Sequence, residues 1–132
     1  MNEFRPGFRF SPLDGLVLFI GAGLTWLLGS QMVVAGLLVA FVVGHFFLFC
    51  NVFRISRRSE LIWAAIFVIL AVTAIVAGTP PWPVVFGISL VVTIWLIRRE
   101  MAQPSYHGVG WRRINPSLES WWRDKHAKLA DD

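Results

Sequence analysis

The sequence predicts an all-α integral membrane protein, a four-transmembrane-helix bundle of two hairpins with both termini cytoplasmic and a short amphipathic helix near the C-terminal end. Three observations predict it. Hydrophobic residues make up 56% of the 132 and charged residues only 15%, with a mean hydropathy of +0.63, outside the balance of soluble domains. No Asp, Glu, Lys or Arg occurs in 15–53 or in 61–97; each block is too long for one span of about 20 apolar residues and suited to two. The arginines gather where these blocks end, which gives the chain a threading direction.

Residues 1–10 form an arm carrying Arg5 and Arg9. It resembles the basic start of a signal peptide, but no small-residue cleavage site follows, so the first span is expected to be retained. In the transmembrane domain, 11–101, the first span covers about 12–30. Ser11 is placed to cap it, Pro12 to occupy its first position and Asp14 its third, where a carboxylate answers free amides. A turn at Gly29-Ser30-Gln31 leads to a second span over 31–53. The polar link 54–59 precedes a third span over 60–77, which begins with the first-turn acid Glu60. Gly78 is placed to end it and Thr79-Pro80-Pro81-Trp82-Pro83 to turn the chain into a fourth span over 83–98.

Arg5 and Arg9 precede the first span, Arg54, Arg57 and Arg58 link the second to the third, and Arg98 and Arg99 follow the fourth, while the two other connections carry no charge. The positive-inside rule places both termini and the 54–59 link in the cytoplasm, as in a bacterial inner membrane. Trp63 and Trp95 fall near the inner interface and Trp82 near the outer. Small residues recur every fourth position on span one, at Gly21, Thr25 and Gly29, and on span two, at Gly36, Ala40 and Gly44, as close helix packing in lipid requires. The cytoplasmic tail, 102–132, is rich in tryptophan. Asn115-Pro116-Ser117 opens an interfacial helix over about 116–129, with Leu118, Trp121, Trp122 and Leu129 on one side.

The chemistry legible in the sequence is sparse. The lone Cys50 and the three histidines form no zinc spacing, and no phosphate-cradling loop or hydrolase elbow occurs; no catalytic and no metal-binding residue is assigned. The pI near 10.2 reflects arginines beside apolar spans, which meet anionic lipid rather than nucleic acid. His45, near the bilayer midplane, is expected to hydrogen-bond a neighbouring helix, with Ser89 and Thr93 as partners at similar depth. The alternative is axial ligation of a haem or chlorophyll-type pigment, which lacks a second intramembrane histidine. Proton-coupled transport of a small solute is a third reading, weakened because Asp14 and Glu60 both lie at span ends. The expected function is a non-catalytic accessory or scaffold subunit without a cofactor, held in a larger membrane protein complex through its spans and tail. Trp111, Trp121, Trp122, Arg54, Arg57 and Arg58 are the expected contacts with partner or lipid, anionic lipid included.

Overall fold

A computed structural model describes residues 3–130. Among them every regular element is helical: α1 (Pro12–Gln31), α2 (Val33–Phe47) running into a π-helical turn (Leu48–Val52), α3 (Arg57–Ala77), α4 (Trp82–Met101), α5 (Trp111–Ile114) and α6 (Leu118–Ala130). The chain divides into two compact units. One comprises the residues up to Arg54 together with His107–Gly110; the other comprises Ile55–Tyr106 and the residues from Trp111 onward.

In the first unit, α1 opens with a capping box. Ser11 Oγ accepts the Asp14 N–H, while the Asp14 carboxylate accepts the Ser11 N–H at 2.7 Å and the Ser11 hydroxyl at 2.6 Å, which satisfies donors that a helix start leaves open. The expected turn at Gly29-Ser30-Gln31 belongs to α1; the chain reverses at Met32 alone, whose extended backbone (φ −142°, ψ 109°) separates α1 from α2. Met32 still donates its N–H to Leu28 O at 2.7 Å and accepts from Gly36 N at 3.2 Å, so the reversal loses little backbone bonding. It brings Gly29 and Gly36 face to face. A Cβ built on Gly36 would lie 2.6 Å from Gly29 Cα and 2.8 Å from Thr25 O, and one on Gly21 would lie 2.8 Å from a Val43 methyl, whereas one on Gly44 would meet nothing within 4 Å.

In the second unit, Ser56 caps α3, and the helix starts at Arg57, ahead of Glu60. Gly78 ends it with φ +68°, a left-handed conformation that glycine adopts without strain. α4 begins after Pro81, with Pro83 in its first turn, where a missing N–H costs nothing. α3 and α4 pack through Trp63, which stacks on Phe67 with ring centroids 5.2 Å apart and donates its indole N–H to Ser89 O at 3.2 Å. Trp63 is buried in this contact. Val85 and Leu96 are fully covered. Further along, Asn115 donates to the carbonyls of Pro104 at 2.5 Å and Tyr106 at 3.3 Å, tying the start of the α5–α6 segment to the end of α4.

Three helical segments, Pro12–Gln31, Val33–Val52 and Arg57–Ala77, are long and apolar enough to cross a membrane, and only 6%, 17% and 17% of their most apolar stretches are buried within the protein. Their remaining surface is studded with large apolar side chains such as Phe19, Val76 and Trp26, the last 82% exposed. Such a surface is ordinary against lipid and an aggregation hazard in water, which associates the chain with a membrane.

Candidate functional site at the helix ends

Polar side chains gather at one end of the helices in each unit. In the first unit α2 continues into the π-helical turn, and Asn51 within it is almost fully buried. Single π turns inside α-helices recur at functional sites. The Asn51 backbone carbonyl accepts the Arg9 N–H at 3.1 Å. The N-terminal arm is therefore a strap. Gly7 N donates to His107 O at 2.7 Å, Val109 N donates to Val52 O at 2.9 Å, and Phe8 and Phe10 meet the ring of Phe47 edge-on at 6.1 and 6.2 Å. Arg54 closes the strap by donating from its guanidinium to Arg5 O at 2.6 Å. Burial, with a contribution from the like charge of Arg9, pushes the Arg54 guanidinium below its ordinary pKa.

In the second unit the centre is Glu100. It is 8% exposed, and its Oε1 accepts the hydroxyls of Ser56 at 2.5 Å and Ser59 at 2.6 Å. Ser56 is the N-cap of α3 and Ser59 its third residue, so a carboxylate from α4 holds both hydroxyls at the start of α3, near the positive end of its dipole. Sequence reasoning missed Glu100, which follows two arginines and reads as ordinary interfacial charge. Burial raises the pKa of the nearby phenol Tyr106 above its usual 10.0.

His45 is 7% exposed on α2. Its Nδ1 lies 2.8 Å from Phe41 O; a carbonyl only accepts, so Nδ1 carries the proton and Nε2 the lone pair. Its ring packs on Phe41 at 4.2 Å and Phe49 at 5.7 Å. The two hydroxyls proposed as its partners direct their protons elsewhere: Ser89 donates to Val85 O at 2.7 Å and Thr93 to Ser89 O at 2.8 Å, each within α4. A hydroxyl has one proton, and a carbonyl four residues back is always within its reach in a helix.

The small-residue faces of α1 and α2 also border an open groove of about 610 Å³, lined by Gly21, Ala22, Thr25, Gly29, Ala40 and Gly44 among others; His45 does not line it. Arg57 and Arg58 are exposed. In the tail Trp111 carries the Arg112 guanidinium 5.6 Å over its ring and Trp121 the Lys125 ammonium at 5.0 Å, while Trp122 stacks on His126 at 4.2 Å. Among the described residues no group of three or more His, Cys, Asp or Glu side chains could hold a metal ion.

Comparison of the chain with protein-family models, with curated proteins and with solved structures finds no match.

Proposed function

We propose that the protein is a small accessory subunit of a larger membrane assembly, crossing the bilayer four times with both termini and the 54–59 link in the cytoplasm. The fourth crossing is α4, whose stretch from Trp82 to Ile97 carries no charge before Arg98, Arg99 and Glu100. The arginine distribution supports the orientation. Both outer connections, Met32 and residues 78–81, are too short to hold an extracellular ligand.

One observation carries the subunit reading: polar groups within the apolar helices are turned back on their own backbones, while large apolar side chains face outward. Ser30, Thr73, Ser89 and Thr93 all donate to carbonyls three or four residues earlier. Such an arrangement serves packing and offers no chain of exchangeable protons. The tail adds interfacial tryptophans beside basic residues, a composition suited to an inner-surface contact. The reading is tested by placing a photo-crosslinking residue at Trp26 and at Trp121 in cells and comparing the adducts. A single shared protein adduct is expected. Lipid adducts alone, with a purified chain that transports or catalyses by itself in liposomes, would end it.

The proton on Nδ1 favours a second reading, because a backbone-anchored imidazole with its lone pair on Nε2 is the form that ligates metals. In that reading His45 holds a haem or chlorophyll-type pigment. A visible absorption band from the purified protein that disappears in His45→Ala would support it, and the absence of any such band removes it.

A further inference from the structure

Arg54 is held in an unusual backbone conformation. Its backbone adopts φ +48°, the one left-handed non-glycine residue among those described. Outliers of this kind persist where surrounding structure over-determines them, and they concentrate at ligand clamps. Its guanidinium is half-buried and pinned by one N–H to Arg5 O, which leaves most of its five-donor fork for another acceptor. Among the described residues no carboxylate lies within ion-pair distance of it.

The neighbouring charges do not compensate. Arg5 pairs with Glu3. The carboxylate of Asp14 is already engaged by the N–H and hydroxyl of Ser11. Arg9 acts on Arg54 as a like charge. Among the described residues neither Arg9 nor Arg54 has a carboxylate within ion-pair distance. Nor is the cluster loose, since the Arg9 N–H is fixed on Asn51 O and the arm is seated on Phe47 through Phe8 and Phe10. A half-buried cation gains from a counter-ion, and a guanidinium fork matches phosphate oxygens two at a time.

We propose that Arg54 and Arg9 form a phosphate-binding site at the strapped end of α2. The ligand is a phosphate group, carried by the headgroup of an anionic phospholipid or present as a free anion. The strap fixes the backbone of Arg9 on Asn51 O and the guanidinium of Arg54 on Arg5 O, beside the apolar end of α2, where headgroups would lie in a bilayer. This assignment goes beyond the accessory role and is independent of it: the site is expected whether or not a protein partner exists.

The full chain is placed in nanodiscs of phosphatidylcholine with and without phosphatidylglycerol, and retained lipid is counted by native mass spectrometry. In parallel, inorganic phosphate is titrated into the neutral nanodiscs while the thermal midpoint is followed. The variants are Arg54→Gln, Arg9→Gln and, as an exposed control, Arg58→Gln. Selective phosphatidylglycerol retention by the parent and the control, weakened about tenfold or more in Arg54→Gln and Arg9→Gln, supports the headgroup source. A midpoint raised by inorganic phosphate in the parent and not in those two variants supports the free anion. Should Arg54→Gln fail to fold, Arg9→Gln decides, because its backbone N–H keeps its bond to Asn51. Equal losses in all three variants, or no response to either phosphate source, overturn the proposal.

Discussion

Gly36 provides the sharpest test of how α1 and α2 are held together. In Gly36→Ala the new methyl would lie 2.6 Å from Gly29 Cα, 2.8 Å from Thr25 O and 2.9 Å from Gly29 N. Non-bonded carbons rest at about 3.5–4.0 Å, so the helices must separate by about 1 Å. The obstructing atoms are backbone, and no rotamer change relieves the clash. Overpacking of this kind costs about 1–3 kcal/mol, against which alanine's helix preference returns at most about 1 kcal/mol. Gly44→Ala lies in the same sequence stripe and meets nothing within 4 Å, so it keeps the helix gain without the clash. The two variants should differ by about 1–3 kcal/mol in reversible unfolding by sodium dodecyl sulfate from mixed micelles, followed by circular dichroism. Equal stability of the two would refute the close backbone approach.

Three further outcomes follow from the second unit. Glu100→Ala leaves the buried Ser59 hydroxyl without its charged acceptor and should lower stability by about 1.5–3 kcal/mol, with Glu100→Gln milder, in thermal unfolding; an unchanged midpoint in both would contradict the hold of the α4 carboxylate on the start of α3. Trp63→Phe keeps a ring beside Phe67 but loses the bond to Ser89 O, for an expected cost of about 0.6 kcal/mol plus lost packing, measurable by the same unfolding assay. Tyr106 should ionise above 10.0 when titrated by phenolate absorbance. Because its folded pKa is raised, the stabilising contribution is complete below the ordinary value and declines as pH rises past it; a midpoint at or below 10.0 would show that the phenol is not buried.

The features legible in the sequence are those whose physics is local. Ser11 and Asp14 form the capping box three residues apart, Gly78 ends α3 with the positive φ that glycine tolerates, and the two charge-free blocks announce apolar helices. What escaped depends on distant residues or on competition between equivalent bonds. Glu100 meets Ser56 and Ser59 across more than 40 positions, and Arg54 reaches Arg5 across 49; nothing in either neighbourhood signals the other. Ser89 and Thr93 each donate to a carbonyl four residues earlier on α4, an acceptor that a helix always keeps within a hydroxyl's reach. Gly36 and Gly44 look alike in spacing, and only the reversal at Met32 decides that Gly36 meets a backbone. The π-helical turn at Leu48–Val52 carries no composition that distinguishes it from the rest of α2.

The account depends most on the direction in which the chain is threaded. In a Cys50→Ser background, single cysteines at Met32, Arg58, Thr79 and Gln103 are labelled in intact cells with a membrane-impermeant maleimide. The account predicts labelling at 32 and 79 from outside, and at 58 and 103 only after the membrane is opened. Labelling of residue 58 from outside, or of residues 79 and 103 from the same side, would contradict it.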